Sequence, residues 1–406
     1  MDRRVPASAI WALGVTQIIG YGTLYYSFGV VAPLIGVSFG WSQEWVFAAL
    51  TVALLAGGLL APVAGHLVDR FGAARAMAAG SVAAALTLAG AALSSSGIGF
   101  AVALVLMEVA AALVLYAAAF AALVQLGGRG AQRSITHLTL IAGFASTLFW
   151  PCTSLLLTVM DWRAVYLVFA GLNLFLCAPL HLWLSTIRRP VEPVDATGIA
   201  PGRFEPGSLP AGRRRLGFGL MLLGFAIEGF ILSGMLMQII PLLTVLGLGG
   251  GTVLVTSLFG PAQVLSRLTN MLLGKQLSSS RLAVIAAALL PLGIAVLAIT
   301  APGLGGAVAF AVLFGLGSGL TSIVSGALPL QLLGRDRYGT RLGWLSAARQ
   351  LASAVAPFVL ALLVGAFGAA AALWALAAIG GAAIALFTLI ALLVRPAEPI
   401  GVSDSA

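Results

Sequence analysis

Long uncharged apolar runs fill almost the whole chain, and they leave few fold classes open. About a dozen runs of roughly 20 mainly apolar residues follow one another, and a helix needs about that length to span a bilayer. Of the 406 residues, 61% are apolar and only 8% are charged, too few charges to solvate a soluble domain of this size. Strands of a membrane barrel would be shorter and would alternate polar with apolar residues. The sequence therefore predicts an all-α polytopic membrane protein.

These runs predict twelve transmembrane helices. The first run is longer than the apolar region of a secretory signal and has no clear small-residue cleavage site, so we interpret it as a spanning helix. The predicted spans are 10–37, 45–66, 75–94, 98–126, 134–158, 163–185, 216–243, 251–273, 281–300, 303–331, 341–366 and 369–394.

Basic residues are distributed unevenly between the two ends of the predicted helices. With both termini and the even-numbered loops on one side, that side carries all of the 21 lysines and arginines except Arg163, Arg267 and Arg349. The positive-inside rule makes this side cytoplasmic and puts both termini inside, as in a bacterial inner (cytoplasmic) membrane. The net charge of +9 then reflects topology beside anionic lipid. No clustered basic face predicts nucleic-acid binding.

The chain divides into two similar halves. The predicted division is an N-terminal six-helix bundle at 1–187, a cytoplasmic linker at 188–215 and a C-terminal six-helix bundle at 216–406. The linker is rich in proline, glycine and arginine, so we expect it to be mobile or weakly structured. Gln125-Leu-Gly-Gly-Arg129 recurs 206 residues later as Gln331-Leu-Leu-Gly-Arg335. Paired repeats of this kind are typical of secondary transporters, which bind substrate between the repeats near the membrane midplane.

A charged segment, Gly65-His-Leu-Val-Asp69-Arg70-Phe-Gly72-Ala-Ala-Arg75, joins the second and third apolar runs. We interpret it as a glycine-bounded turn in a cytoplasmic hairpin. Gly65 permits close backbone approach, and Gly72 permits a turn conformation that other residues resist. The alternative is an ordinary positive-inside loop.

Twelve helices, a central basic linker and Gly65-x-x-x-Asp69-Arg70-x-Gly72 together resemble the major facilitator superfamily over the whole chain. The resemblance implies two six-helix bundles that rock about a central site, in a monomer. It also implies a gating motif formed by Gly65, Asp69, Arg70, Gly72 and Arg75. By that resemblance Asp69 would lie at the start of the eleventh helix, where the helix dipole is positive. The related segment at Gly274 has lost the acid, so the gate is expected to be asymmetric.

A finer resemblance begins in the first helix. Gly22-Thr-Leu-Tyr-Tyr-Ser-Phe-Gly-Val-Val-Ala-Pro33 and the following Phe-Gly-Trp-Ser at 39–42 are similar to the oxalate/formate antiporter and monocarboxylate porter branch. The resemblance implies carboxylate binding by basic residues in the eighth and eleventh helices, where Arg267 and Arg349 stand. The antiporters carry lysine where Arg349 stands, and monocarboxylate porters carry an acid where Gln263 stands.

Two arginines and two glutamates lie inside predicted spans. A charge at membrane depth costs a few kcal/mol unless it faces a cavity or a partner. Arg267 and Arg349 are both expected about 10–12 Å from the cytoplasmic ends of their helices, where two guanidinium forks could clamp one carboxylate. The alternative is that each arginine pairs with Glu108 or Glu228. A desolvated carboxyl without such a partner favours its neutral form and could carry a proton.

Further polar and aromatic side chains could line the same cavity, although packing between helices is the alternative for each of them. At least one of the adjacent Tyr25 and Tyr26 is expected to face inward. The other candidates are Tyr116, Trp150 and Gln238.

The sequence thus predicts a secondary active transporter of a small organic anion, a mono- or dicarboxylate, working by alternating access with proton symport or exchange. The alternative is efflux of a hydrophobic drug-like or metalloid compound, with the buried arginines in structural ion pairs. No nucleotide-binding loop, metal-ligand cluster or nucleophile–base pair is evident, so we expect no enzyme activity, no cofactor and no metal. The expected partners are the lipid bilayer, the substrate, and protons or a counter-transported anion.

Overall fold

The computed structural model describes residues 5–127, 131–187, 207–274 and 277–394. Almost all of these residues are helical, as the long apolar runs predict. The twelve helices are α1 (Ala7–Phe39), α2 (Gln43–Phe71), α3 (Ala73–Leu93), α4 (Gly97–Gly127), α5 (Ala131–Leu156), α6 (Trp162–Thr186), α7 (Ala211–Val245), α8 (Thr252–Leu273), α9 (Ser279–Thr300), α10 (Leu304–Leu333), α11 (Tyr338–Phe367) and α12 (Ala369–Leu393).

Eleven of these helices are long and apolar enough to cross a membrane. The twelfth, α8, has 22 residues but carries Gln263, Ser266, Arg267 and Asn270 within its span. Its lower hydropathy follows from these polar residues, which include two of the candidate binding residues. The predicted all-α polytopic architecture with twelve helices is confirmed.

The charged segment after the second span is helical for most of its length, which corrects the interpretation of it as a turn. Helix α2 continues to Phe71 and ends at Gly72, whose φ of 89° lies in the left-handed region that favours glycine. Asp69 and Arg70 therefore belong to the last turn of α2. Arg70 lies there at the negative end of the helix dipole.

The end of the central linker is ordered, contrary to the expectation of weak structure. The N–H groups of Ser208 and Leu209 donate to the carbonyls of Gln331 and Leu332 at 2.9 and 3.1 Å. These acceptors belong to the last turn of α10, where helical carbonyls lack intrahelical donors. Helix α7 then begins at Ala211. Residues 188–206 lie outside the described residues, and the domain boundaries remain predictions.

The repeated glutamines occupy equivalent positions in the two bundles. The Gln125 side-chain carbonyl accepts from the N–H of Ala73, at the start of α3, at 2.9 Å. The Gln331 side-chain carbonyl accepts from the N–H of Ser279, at the start of α9, at 2.7 Å. Gln331 follows Gln125 by 206 residues and Ser279 follows Ala73 by 206 residues, so the sequence repeat has a structural counterpart. We call α1–α6 the N-terminal bundle and α7–α12 the C-terminal bundle.

The buried apolar cores of the two bundles merge at one end. One buried apolar cluster contains residues of both bundles, among them Leu123 and Leu332, and lies at the end where Arg70, Arg75 and Arg335 are found, which we call the arginine-rich end. Two further clusters, around Phe100 and Phe310, lie toward the opposite end, and each belongs to one bundle. The structure is therefore closed at the arginine-rich end, with separate bundle cores toward the other.

Candidate functional site

A short π-helical segment in α1, Gly22–Tyr26, gathers aromatic side chains at the bundle interface. The Ser27 N–H donates to the Gly22 carbonyl, a five-residue spacing instead of four. Gly22 is needed there because a β-carbon would overlap the Phe149 ring. The wider turn brings Tyr21, Tyr25 and Tyr26 together, and π-bulges of this kind often occur at functional sites.

Five aromatic side chains form one cluster, which we call the tyrosine cluster. The ring centroids of Tyr21 and Tyr116 are 4.7 Å apart, and those of Tyr25 and Tyr26 are 5.2 Å apart. Trp150 on α5 lies edge-on to Tyr26 at 5.9 Å and donates its indole N–H to the Tyr26 carbonyl at 3.2 Å. The N-terminal bundle thus presents several phenol groups and an indole on one surface.

A break in α4 beside this cluster is satisfied by side chains of α1. Leu115 is extended, so the helix is interrupted between Val114 and Tyr116. The Gln17 amide donates to the Val114 carbonyl at 2.6 Å, and the Tyr21 hydroxyl lies at the Tyr116 N–H. Freed backbone groups at membrane depth need such partners, because lipid supplies none.

Arg267 is buried, with 5% of its surface exposed, and is held by the C-terminal bundle. Its Nη2 donates to the side chains of Gln263 at 3.2 Å and Ser322 at 3.0 Å, and its Nε donates to the Gly319 carbonyl at 3.4 Å. Gly319 permits this close approach of α8 and α10, because a β-carbon there would overlap Ser266. Because Arg267 donates to the Gln263 side chain, Gln263 orients the guanidinium.

Arg349 reaches the same region from α11. Its aliphatic stem lies across Gly229 of α7, where a β-carbon would come within 2.5 Å of its Cγ. It interacts electrostatically with Tyr21 and Tyr25, and both it and Arg267 interact with Tyr116. The two arginines thus approach one tyrosine cluster from the opposite bundle.

The buried glutamates do not pair with these arginines. In the part of the chain that the structure describes, no carboxylate lies within 4.0 Å of the Arg267 or Arg349 nitrogen atoms. Glu228 is fully buried; its Oε1 accepts from the Thr321 hydroxyl at 3.4 Å, and its Oε2 has no hydrogen-bond partner. Glu108, 5% exposed, packs against Gly57 of α2. Arg349 acts on Glu228 only at longer range.

The expectation of matched depth for the two arginines is wrong when depth is measured along the helices. Arg267 lies six residues before the end of α8, about 9 Å, whereas Arg349 lies eleven residues after Tyr338, about 16 Å. Most of the difference arises because α11 begins three residues, or about 4.5 Å, earlier than its apolar run indicates. Both arginines nevertheless interact electrostatically with Tyr116 of the tyrosine cluster.

Asp69 crosses to the other bundle, as the resemblance implied for its location. Its Oδ1 accepts from the Gly339 N–H at 2.8 Å, and its Oδ2 accepts from the N–H and hydroxyl of Thr340, both at 2.7 Å. These groups form the first turn of α11, where unpaired N–H donors carry partial positive charge. Gly65 permits the approach, because a β-carbon there would overlap the Gly339 carbonyl.

Two further polar contacts join the bundles at the arginine-rich end. Arg335 donates to the Val124 carbonyl near the end of α4 at 2.7 Å, and Gln132 donates to the Ser279 hydroxyl at 2.7 Å. Arg70 and Arg75 do not take part in these contacts. They line a cavity of about 480 Å³ at the same end, together with Asp69 and Gln125.

Gln238 lies away from the arginine pair. It donates to the Pro357 carbonyl of α11 at 3.2 Å, and nearby Ser233 donates to the Ser353 carbonyl at 2.8 Å. Because Pro357 has no N–H to donate to the Ser353 carbonyl, the Ser233 hydroxyl replaces a helical hydrogen bond there. This geometry favours a role for Gln238 in pairing α7 with α11.

Several neighbours of the site are not identified by sequence reasoning. Tyr21 precedes the π-segment, whose wider turn brings it near Tyr26. Ser322 and Gly143 contact the Arg267 guanidinium from α10 and α5. The glycine-rich, serine-containing sequence of α10 was the available signal for Ser322, but it carries no information on the facing helix.

Solved structures with the same fold are transporters. The human organic anion transporter MFSD10 (TETRAN) matches with 16% identity and a TM-score of 0.68, covering 95% of this chain and 98% of that chain. The transporter FucP, in the outward conformation, matches with 14% identity and a TM-score of 0.71, covering 94% and 99%. The proton:xylose symporter XylE matches with 14% identity and a TM-score of 0.68, covering 93% and 95%.

At the level of sequence, no curated protein matches the chain. The family model of the Major Facilitator Superfamily matches residues 13–304, most of its length. The chain therefore belongs to the Major Facilitator Superfamily and is a multi-pass membrane transporter rather than an enzyme.

Proposed function

We propose that this protein is a secondary active transporter of a small organic anion, a mono- or dicarboxylate. The observation that carries the proposal is the arginine pair: Arg267 and Arg349 approach the tyrosine cluster, and no described carboxylate lies within 4.0 Å of either. Cations at membrane depth are costly unless a partner or water compensates them. An anionic substrate supplies the missing charge.

The chemistry of the two surfaces suits a carboxylate. A guanidinium group binds a carboxylate through two parallel hydrogen bonds, and such charge-assisted bonds are stronger than neutral ones. The tyrosine hydroxyls opposite can donate to the remaining oxygen lone pairs. The structural neighbours include an organic anion transporter and a xylose symporter. The fold therefore does not select the substrate, and the choice rests on the arginines and on the α1 pattern similar to oxalate/formate antiporters.

Alternating access follows from the way the two bundles meet. The contacts of Asp69 and Arg335 join them at the arginine-rich end, which we assign to the cytoplasm of a bacterial inner membrane, with both termini inside. Breaking these contacts while the opposite ends approach would expose the arginine pair to the cytoplasm. We propose that the protein works in this way as a monomer.

Glu228 is our candidate for proton coupling. It is fully buried, its Oε2 lacks a hydrogen-bond partner, and Arg349 acts on it electrostatically. Proton binding there would change the charge balance beside the substrate site. A proton gradient that drives uptake in the unaltered protein but not in Glu228→Gln supports symport. Gradient-independent exchange in both proteins points to a counter-transported anion.

The test is carboxylate uptake into proteoliposomes by Arg267→Ala and Arg349→Ala, with Arg281→Ala as the matched control. Arg281 is exposed at the start of α9, so its loss removes the same charge away from the site. Loss of a charge-assisted hydrogen bond costs about 1.5–3 kcal/mol, so we expect KM to rise about 10- to 100-fold in the first two variants only. Normal KM values for carboxylates in both variants would refute the proposal.

The aromatic character of the tyrosine cluster favours one alternative, efflux of a hydrophobic drug-like or metalloid compound. In that case the arginines would serve as structural cations paired with Glu108 and Glu228. The separation of these groups beyond 4.0 Å argues against such pairs. Transport of apolar compounds that survives both arginine substitutions would favour this alternative.

A further inference from the structure

Helix α5 is interrupted directly beside the Arg267 guanidinium. The interruption falls at Gly143 and Phe144, where the Phe144 N–H donates to the Ile141 carbonyl, three residues back, at 3.2 Å. Helix α5 belongs to the N-terminal bundle, whereas Arg267 belongs to the C-terminal bundle. The contact between Gly143 and Arg267 therefore crosses the interface between the bundles.

Gly143 provides the space that one prong of the guanidinium occupies. A β-carbon at position 143 would overlap Nη1 of Arg267. The other two nitrogen atoms are held by hydrogen bonds to Gln263, Ser322 and Gly319 of the C-terminal bundle. The guanidinium is thus held by its own bundle through Nη2 and Nε, and its Nη1 lies against the backbone of the other bundle.

The backbone itself does not require glycine at this position. Gly143 is absent from the described residues with positive φ, so alanine would adopt its conformation without strain. The atom that must move is the tip of a flexible side chain. That tip is held by hydrogen bonds in a site where Arg267 is only 5% exposed. A side chain at 143 would therefore move the guanidinium while leaving the fold intact.

We propose that Gly143 is a positioning residue that sets the affinity for the anion by seating the Arg267 guanidinium at the bundle interface. This inference rests on the proposed function, because it takes Arg267 as a substrate contact. A methyl group at 143 turns the guanidinium away from Ser322 and Gln263. The carboxylate then meets a displaced Nη1, the guanidinium nitrogen that makes no hydrogen bond to the described residues of its own bundle, and loses the charge-assisted hydrogen bond that this nitrogen donates.

The transport experiment compares Gly143→Ala with Gly260→Ala in proteoliposomes. Gly260 lies on α8 with Arg267, and a β-carbon there would meet nothing within 4 Å. We expect KM for the carboxylate to rise about tenfold in Gly143→Ala, with little change in kcat, and to stay unchanged in Gly260→Ala. A KM for Gly143→Ala within about twofold of the unaltered protein, where that protein transports a carboxylate, would overturn the proposal.

A second measurement tests, without any substrate, whether Gly143 holds the Arg267 guanidinium in place. The apparent Tm of the purified protein is measured for Gly143→Ala alone, Arg267→Met alone and the two together, as a double-mutant cycle. We expect Gly143→Ala to lower Tm by about 3 °C, and by less than about 1 °C in the Arg267→Met background. Equal changes in Tm in both backgrounds would show that Gly143 does not hold the Arg267 guanidinium in place. Coupling between the two substitutions in a protein that transports no carboxylate would support the contact between Gly143 and Arg267 but would refute the proposed function.

Discussion

Replacing Asp69 by asparagine tests how strongly one carboxylate holds the arginine-rich end closed. The carboxylate accepts three hydrogen bonds from Gly339 and Thr340, at 2.7–2.8 Å. The asparagine side chain keeps one carbonyl acceptor, and its NH₂ group replaces the other acceptor with a donor that faces a donor of α11. With that carbonyl facing Thr340, the bond from Gly339 is lost at about 1.5 kcal/mol, and the two bonds from Thr340 each lose about half of that strength because their acceptor is no longer charged. The low end of the usual range applies because Asp69 is only half-buried. We therefore expect the closed state to lose about 3 kcal/mol, or roughly 100-fold in population relative to the open state.

The assay is the distance between spin labels on the two bundles. Ala79 on α3 and Ile285 on α9 are exposed and equivalent under the 206-residue repeat, so cysteines placed there report the opening symmetrically. Asp69→Asn should populate the longer distance and slow transport while leaving substrate selectivity unchanged. Thr340→Val removes only the hydroxyl that donates to Asp69 and should give a smaller shift in the same direction.

Asp161→Asn is the matched control for this prediction. Asp161 also caps a helix, accepting from the Ala164 N–H at 2.8 Å, but both residues belong to the N-terminal bundle. Its substitution should leave the distance between the bundles unchanged. Distances for Asp69→Asn like those of the unaltered protein, or an altered selectivity, would refute the reasoning.

Two other contacts give predictions of their own. Gly65→Ala brings a β-carbon into the Gly339 carbonyl, a backbone atom that cannot rotate away, so we expect loss of the closed state by the same distance measurement. Gly29→Ala, where a β-carbon would meet nothing within 4 Å, should have no effect. Asn173 is buried and donates at 3.0 Å to the hydroxyl of Thr23 in the α1 π-segment. Asn173→Leu should destabilise the protein by about 1–2 kcal/mol, seen as a lower apparent Tm, and an unchanged Tm would contradict this.

Sequence reasoning was most accurate where the governing property is local. The number of spans and their approximate ends follow from hydropathy, which each segment carries by itself. The largest difference at a helix start is at α7, which begins at Ala211 rather than at residue 216. At α11 the start moves from Arg341 back to Tyr338, and in both helices polar residues extend the helix beyond the apolar run. The turn assigned around Asp69 was wrong for the same reason, because charged residues continue a helix past the membrane.

The polar site was harder to derive because it depends on register between distant segments. The sequence offered Glu108 and Glu228 as partners for the arginines, and hydropathy cannot distinguish an ion pair from two separate buried groups. The separation beyond 4.0 Å appears only when α4, α7, α8 and α11 are packed. Gly143 is one of 50 glycines, and only the position of Arg267 distinguishes it from the others.

By itself the sequence determined the class of this protein: a twelve-helix membrane transporter, in which charge sorts to one end and a repeat relates the halves. These properties follow from burial costs that add along the chain, residue by residue. Only the tertiary structure decided which polar groups meet. The irregular helix geometry near Tyr21, Leu115 and Gly143 sets the directions of the side chains, and the packing of glycines sets the distances between helices. Both arise from contacts between segments far apart in the chain, for which no local pattern exists.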